Sequence, residues 1–334
     1  MEKQEWNPGK LLQLSGQYWA SCTLHAAVKL DVFTAIGDRQ LSSENIAQKR
    51  NVSKEGITRL LNALSAMNLI ENSNDKFSNT RAGKTFLSKD SPKYIGYIIT
   101  HHHHLVDSWS KLDQAVETGA PVRARVSHTS PEWRESFLMG MFNIGMSIAP
   151  LLVDKIDLSE RHHLLDLGGG PGTYAIHFCL KNPGLKATVY DLPTTRPFAE
   201  KTIEKFGLTD RIDFMDGNYV EEGIEGVYDV AWLSHILHGE GQKECQRIIE
   251  KTVLALEPGG MIIVHDFILN NTMDGPLFPA LFSLNMLLGT PAGQSYSEKQ
   301  ITDMLAKAGV KEIQRLPFHA PNDSGVIVGN KKQR

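Results

Sequence analysis

Four glycines and a proline crowd into Gly168-Gly169-Gly170-Pro171-Gly172, directly behind the apolar run Leu164-Leu165-Asp166-Leu167 and ahead of a helical stretch beginning near Thr173. Any Cβ in such a turn would hold a ligand away, so the glycines let backbone come close, and the helix start behind them offers unpaired N–H donors. The spacing Gly168, Gly170, Gly172 departs from the six-residue dinucleotide fingerprint, because Thr173 stands where its last glycine belongs.

The surrounding half fits that unit. After Pro150 short β runs alternate with helical ones, the signature of a parallel sheet with crossover helices. The β runs are His163 to Leu167, Ala187 to Asp191, Arg211 to Met215, Tyr228 to Ser234, Gly260 to Ile268, Lys311 to Leu316 and Gly325 to Gly329. One crossover helix aligns Cys245, Ile248, Ile249, Val253 and Leu256 on one face, stopped by Glu257-Pro258-Gly259-Gly260. From Leu11 to about Gly119 the period is helical instead. Ile57, Leu60, Leu61, Leu64 and Met67 recur at amphipathic spacing behind an N-cap at Ser53, and Leu41 to Ala47 reads as another helix start. A hairpin is expected where Leu69-Ile70-Glu71 and Lys76-Phe77-Ser78 flank Asn72-Ser73-Asn74-Asp75. Helix, helix, hairpin is the order of a winged helix. Glu132 to Ile148 is apolar nearly all round, so a buried connecting helix is expected there. The expected division is residues 1–119, helical and winged-helix-like; 120–150, the connection; and 151–334, the α/β domain.

Charge and cysteine usage exclude several function classes. A formal net charge of -3 leaves no overall positive field for a polyanion. Residues 1–90 hold 12 Lys plus Arg against 9 Asp plus Glu, and the presumed reading helix offers only Lys54 and Arg59, so no nucleic-acid partner is expected. Cys22, Cys179 and Cys245 lie far apart without a CxxC pair, which fits a reducing cytoplasm and neither a disulfide framework nor a zinc ribbon. No apolar signal-peptide core precedes Leu11, and the most apolar run, Leu277 to Leu288, is broken by Pro279, Ser283 and Asn285, so no membrane anchor is expected. In the run His101 to His104 at most His101 and His104 share a helix face, and a metal site is not expected there.

A second strand sharpens the meaning of the glycine turn. Ala187-Thr188-Val189-Tyr190-Asp191 ends in an aspartate about twenty residues beyond the turn, the usual distance for a carboxylate gripping two ribose hydroxyls. Its structural alternative is a cap for the segment after Pro193. Adenosine binding is the first functional inference. Together, Asp166-Leu167-Gly168-Gly169-Gly170-Pro171-Gly172, Tyr190-Asp191-Leu192-Pro193, Leu233-Ser234-His235-Ile236-Leu237-His238 and Leu256-Glu257-Pro258-Gly259-Gly260 resemble the class I S-adenosylmethionine-dependent methyltransferases over almost the whole chain. The closer resemblance is to the small-molecule O-methyltransferases of the hydroxyindole and caffeate type, as a bacterial-like member.

That resemblance implies an α/β fold: a Rossmann-like, doubly wound methyltransferase domain behind an N-terminal helical winged-helix dimerisation domain, which makes a homodimer, with Leu24 to Phe33 as an interface helix. It implies S-adenosylmethionine as cofactor, held by Gly168, Gly170, Asp191, Leu192 and Ser234. Where the family has Gly-Asp and then an aromatic residue or Met after its third strand, this chain has Gly217-Asn218-Tyr219. Asn218 can both accept and donate toward the adenine, Asp216 is its alternative, and Tyr219 would cover the ring.

In the family, a histidine closing the segment after strand four is the base, which selects His238 over His235, whose family position is variable. Asp266, in Val264-His265-Asp266-Phe267, stands where the family's orienting carboxylate does. An imidazole near pKa 6.5 facing a phenol near 10 is mismatched by about 3.5 units, roughly 4.8 kcal/mol, so proton transfer is expected to be concerted with displacement. The plant members' second flanking acid is missing from Thr290-Pro291-Ala292-Gly293-Gln294-Ser295-Tyr296-Ser297, which favours an acceptor more acidic than a simple alcohol, or one that is not oxygen. No acidic metal cluster is expected near Asp266, so the reaction is expected to be metal-independent. Trp109, Phe142, Met146, Phe282 and Met286 are the expected lining of an apolar acceptor pocket. The expected activity is methyl transfer to a hydroxyl of a small, aromatic metabolite. The alternatives are N- or C-methylation on the same fold and a nicotinamide-dependent oxidoreductase using the same turn.

Overall fold

The computed structural model describes residues 5–125, 130–318, 320 and 322–333. Contacts divide the chain into two compact units, Met1–Val106 with Glu135–Asn143, and Asp107–Arg134 with Ile144–Arg334.

The first unit opens with α1 (Pro8–Gly16), capped by the Asn7 side chain on Lys10 N–H, and α2 (Tyr18–Lys29). α1 buries no residue at all, and Leu12, Tyr18 and Trp19 stand 74%, 62% and 68% exposed. Then come α3 (Val32–Ile36), β1 (Leu41–Ser42), α4 (Ser43–Arg50), α5 (Lys54–Ala66), β2 (Ile70–Ser73), β3 (Lys76–Asn79) and α6 (Gly96–Trp109), whose last three residues belong to the second unit. Ser53 caps α5 by accepting from Gly56 N–H, and Ile57, Leu61 and Leu64 are buried, as the apolar spacing predicts. Two expectations shift. Leu41 and Ser42 do not begin a helix: they pair with Phe77 and Lys76 as a third strand, and the Ser42 side chain then caps α4. The hairpin turn is shorter than the sequence suggests. Asn72 and Ser73 pair within β2, while Asn74 and Asp75 alone turn, at φ 54° and 60°, the two positive values that a type I′ turn demands.

In α6, three of the four histidines have separate neighbours. His101 packs on Phe137 at 5.2 Å, His104 Nδ1 lies 3.2 Å from Ser136 Oγ, and His103 Nε2 lies 3.3 Å from Lys29 Nζ.

After α7 (Leu112–Thr118), α8 (Pro131–Val153) supplies residues to both units. It outruns the expected Glu132 to Ile148 and passes through Pro150. An interior proline forfeits one N–H bond, and burying Ile148, Ala149, Leu152 and Val153 in the second unit's core outweighs that loss. Leu277 to Leu288 stands out as the most apolar run of the sequence, yet among the described residues α8 is the helix long and apolar enough to cross a membrane. Half of that stretch is buried inside the protein.

The second unit continues with β4 (His163–Leu167), α9 (Thr173–Lys181), β5 (Lys186–Asp191), α10 (Arg196–Lys205), β6 (Ile212–Asp216), β7 (Tyr228–Ser234), α11 (Gln242–Ala255), β8 (Leu256–Asp266), α12 (Leu277–Gly289), α13 (Glu298–Lys307), β9 (Val310–Arg315) and β10 (Gly325–Lys331). Its seven strands are ordered β6-β5-β4-β7-β8-β10-β9, parallel from β6 to β8, with β10 antiparallel to both of its neighbours. The two-residue period of the strands sends Leu164, Trp232 and Ile263 to one face and Leu165, Leu233 and Val264 to the other, so both faces carry a core, as a doubly wound sheet requires. α11 stops earlier than its apolar face suggests. Leu256 is already extended and pairs with Tyr228, which puts Glu257 to Gly260 inside β8.

The chain steps from β4 to β5 and β6 in one direction and returns to β7 on the other side of β4. Ligands of open α/β sheets bind at such reversals, beyond the carboxyl ends of the strands. Here those ends present Gly168, Asp191 and Ser234.

Candidate active site

The glycine turn is built as its composition demands. Gly168, Gly170 and Gly172 all take positive φ, at 65°, 56° and 75°, which side chains rarely adopt. A Cβ on Gly168 would come within 2.5 Å of Ile236 Cγ2 and 3.1 Å of Tyr219 Cε1. A Cβ on Gly170 would meet nothing within 4 Å, so there the turn faces open space.

Asp191 does not cap the helix after Pro193, since α10 has Thr195 at its N-cap; its carboxylate is engaged by nearer donors instead. Its Oδ2 accepts from Gly170 N–H at 2.8 Å, and its Oδ1 accepts from Leu192 N–H at 2.7 Å and Thr195 Oγ1 at 3.2 Å. A carboxylate has about four lone-pair sites, so a further donor can still be accommodated. Beneath it, Asp166 is wholly buried. Its Oδ2 accepts from Ala175 N–H at 3.2 Å, and its Oδ1 has no partner among the described residues. Burial, reinforced by Asp191, pushes the Asp166 carboxyl up to about 7, and burial raises Asp191 as well. An open glycine turn over two carboxylates short of positive charge fits a cationic nucleoside such as S-adenosylmethionine. Gly168, Gly170 and Asp191 border that turn.

The adenine-side candidates are less free. Asn218 Oδ1 accepts from Val220 N–H at 3.1 Å, closing an Asx turn, and Asp216 is gripped by Arg196 at 2.8 to 3.3 Å. The carbonyls of Tyr219, Val220 and Glu222 all accept from Lys251 Nζ, at 2.5, 3.1 and 2.5 Å. Lys251 thus shapes the loop that carries Tyr219 across 32 residues of sequence, a role no local pattern announces. Ser234 Oγ lies 2.9 Å from His265 Nδ1, whose other nitrogen meets Ser324 Oγ at 2.8 Å. Burial drives that histidine far below its ordinary pKa, so it is a neutral brace.

His238 sits on a single 3-10 turn, Leu237–Gly239, between β7 and α11. Its Nδ1–H donates to Asp266 Oδ1 at 2.6 Å, since a carboxylate can only accept. The same oxygen accepts from Phe267 N–H at 2.8 Å. Burial alone would raise the Asp266 carboxyl, but His238 and His235 outweigh it and hold the group well below the usual carboxylate range. Asp266 is therefore an anion aimed at an imidazole. His235 Nδ1 stands 3.7 Å from that oxygen, and one nitrogen or oxygen atom from each of His235, His238 and Asp266 fall within 4.8 Å of one another. This trio is two histidines and one carboxylate, a donor set different from the acidic cluster that the sequence reading considered.

Several supports escape sequence reasoning. Arg125 forks onto Glu240, at 2.6 and 3.1 Å, and onto Gly239 O at 3.0 Å, which pins the turn bearing His238. Tyr296 Oη donates to Glu240 O at 2.6 Å. The stretch Thr290 to Ser297, which lacks the acid of the plant pattern, instead packs Gly293 so closely that its Cβ would lie 2.5 Å from His238 O. Among the five proposed pocket residues, Phe282 meets His238 edge to face at 4.7 Å and Phe267 at 4.5 Å. Phe267 and Phe278, 4.9 Å apart, extend that aromatic wall and were missed. Met146 Sδ instead lies 3.4 Å from His177 Nε2 on α9, Met286 is buried, Trp109 is half-buried, and Phe142 is a buried residue of the first unit.

Comparison with known proteins agrees with this fold and cleft. The O-methyltransferase domain family matches residues 109–311, and the O-methyltransferase dimerisation domain matches residues 12–89. The 3-hydroxy-5-methyl-1-naphthoate 3-O-methyltransferase of Streptomyces sahachiroi is 30% identical over 330 residues, 97% of this chain and 95% of that one. The N,N-dimethyltransferase OxyT of Streptomyces rimosus is 26% identical over 77% of each chain. The crystal structure of human N-acetylserotonin methyltransferase with S-adenosylmethionine superposes with a TM-score of 0.87 at 25% identity, covering all of both chains. The chain therefore belongs to the O-methyltransferase family and is an S-adenosylmethionine-dependent enzyme with that family's dimerisation domain.

Proposed function

We propose that this enzyme methylates a hydroxyl of a small aromatic metabolite, with His238 as the base, Asp266 as its orienting carboxylate, and no metal ion. The observation that carries this reading is the 2.6 Å hydrogen bond between His238 Nδ1 and Asp266 Oδ1. Bound S-adenosylmethionine supplies an electrophilic methyl group on a sulfonium. Gly168, Gly170, Asp191 and Leu192 hold its amino-acid and ribose portions, and Asn218, Tyr219 and Ser234 frame the remainder. Because Asp266 keeps the hydrogen on Nδ1, the Nε2 lone pair of His238 is left to take the acceptor's proton as the hydroxyl oxygen attacks. The resulting imidazolium is stabilised by the same carboxylate, as in other histidine–carboxylate pairs. Phe282 and Phe267, in ring contact with His238 or its neighbour, favour a flat aromatic acceptor. Trp109, Met146 and Met286 are proposed to complete its apolar surroundings.

The exposed apolar side chains of α1 and α2 support assembly into a homodimer through the winged-helix-like segment 1–119, with 120–150 as connection and 151–334 as the catalytic part. A cytoplasmic location, without membrane or nucleic-acid partners, accords with the cysteine usage and charge. Incubation with isotope-labelled methyl donor and a panel of phenolic metabolites, read by mass spectrometry, tests the function. Product with a new O-methyl bond is expected, undiminished by a chelator. His238→Ala should lower kcat by about 10² to 10⁴. Near-normal turnover of that variant removes His238 from the base role, and a label found on nitrogen, as OxyT's name describes for that relative, would move the reading to N-methylation.

A further inference from the structure

Arg123 is a half-buried cation without a counter-ion. Two residues further on, Arg125 forks onto the Glu240 carboxylate. Arg123 has no such partner: among the described residues its side chain donates only to Asn285 O and Asn285 Oδ1, from Nη2 at 3.3 Å in each case, and both acceptors are neutral. The stretch Val126 to Thr129 that follows in sequence contains no acid. Nε is buried with no partner, whereas Nη1, which also makes no hydrogen bond among the described residues, is still open to solvent. Burial lowers the pKa of Arg123, but a guanidinium stays charged at any ordinary pH. Partly desolvated arginines are normally paired, so the missing anion calls for an explanation.

The backbone decides where this charge lies. Val122 N–H and Arg123 N–H both donate to Leu288 O, at 3.0 and 3.1 Å, which fastens the segment to the last turn of α12. Gly289 gives the guanidinium its room, since a Cβ there would run into it. Phe282, Asn285 and Gly289 are spaced i, i+3 and i+7, so they share one face of α12. On that face Phe282 meets His238 edge to face at 4.7 Å, and Asn285 takes Arg123. Along the helix axis Asn285 and Gly289 stand about 4.5 and 10.5 Å beyond Phe282. From the other side, Arg125 on the same segment donates to Gly239 O, next to His238. One helix face thus carries the aromatic neighbour of His238 at one end and an uncompensated cation at the other.

Resting on the reading of His238 as the base that meets a hydroxyl of an aromatic acceptor, we propose that the open Nη1 side of Arg123 binds a carboxylate on that same acceptor, so the preferred substrates are hydroxyarenecarboxylic acids. Each N–H of a guanidinium that meets a carboxylate oxygen makes a charge-assisted hydrogen bond, which is shorter and stronger than a neutral one. The spacing along α12 asks for an acid roughly 5 to 10 Å from the oxygen that is methylated, a span that one substituted benzene ring or the two rings of naphthalene cover. Arg123 determines specificity; it moves no proton in the reaction.

The test measures binding without turnover, by titration calorimetry on enzyme loaded with S-adenosylhomocysteine, the demethylated form of the cofactor. The probes are 3-hydroxybenzoate, 4-hydroxybenzoate and 6-hydroxy-2-naphthoate, each against its own carboxamide, which keeps the shape and loses the charge. In at least one pair the acid should bind about tenfold or more tighter than its amide. Arg123→Met should bring that ratio close to one, while Arg123→Lys, which keeps the charge, should restore part of it. Loss of a merely structural latch on α12 would weaken acid and amide alike and leave the ratio standing, which overturns the proposal. Equal binding of acids and amides by the unaltered enzyme overturns it too. Weaker S-adenosylhomocysteine binding in Arg123→Met with the ratio intact assigns the cation to the cofactor and has the same force. Absence of binding by all six probes overturns this assignment, while the labelled phenol panel still decides the hydroxyl reading by itself.

Discussion

His235 and His238 compete for one carboxylate oxygen, and His238 wins by 1.1 Å, the difference between 3.7 and 2.6 Å. Geometry alone thus separates two histidines that stand three residues apart in sequence. A second charged residue, Asp166, carries a pH signature. Burial foremost, then Asp191, raises its carboxyl to about 7, against an opposing hydrogen bond from Ala175 N–H. Between its unfolded value near 3.9 and about 7 the folded protein holds a proton that the unfolded chain releases. This group's contribution to stability is therefore fully present below about pH 4 and is lost as pH rises through about 7. Asp166→Asn should raise the thermal midpoint by several degrees at pH 8 and leave it almost unchanged at pH 4, read by scanning calorimetry on the unliganded enzyme. A uniform loss of stability at both pH values would show that the carboxyl is ionised throughout.

The glycine turn shows how an element divides its labour. Gly168 and Gly170 both need left-handed backbone, which costs a substituted side chain about 1–2 kcal/mol, but their surroundings differ. At Gly168 a methyl group would strike Ile236 Cγ2 at 2.5 Å, while at Gly170 it would project into open space. Gly168→Ala should therefore lose the larger share of thermal stability. Gly170→Ala should lose only the conformational cost, yet weaken S-adenosylmethionine binding by about tenfold or more, measured by titration calorimetry, because its methyl group would occupy the ligand's side of the turn. The reverse ranking would place the ligand elsewhere. Elements set by local chemistry, such as the Ser53 cap, most of the period-two strands and the Asn74-Asp75 turn, were legible within one or two residues of their ends, whereas β8 begins at Leu256, four residues before the expected Gly260. Those set by distant partners were not: Leu41-Ser42 became a strand because Phe77 and Lys76 lie alongside, and α8 passed Pro150 because a core awaited its last turn.

For the whole molecule, the exposed Leu12, Tyr18 and Trp19 are more apolar surface than a solitary chain ordinarily leaves to water in so short a segment. The double variant Leu12→Glu with Trp19→Glu should shift the protein from dimer to monomer in sedimentation at micromolar concentration while the folding transition persists. A wild type that sediments as a monomer contradicts the proposed assembly.

The doubly wound layer order, the nucleoside cleft and the place of the glycine turn are written in the chain itself, because strand period, glycine backbone freedom and caps act over a few residues. Which histidine takes Asp266, how Arg125 pins the turn bearing His238 through Glu240 115 residues away, and why the His235 ring nitrogens have no hydrogen-bond partner among the described residues were decided by the tertiary structure alone. Those contacts depend on strand order and register, which are properties of the packed sheet and of no local stretch of sequence.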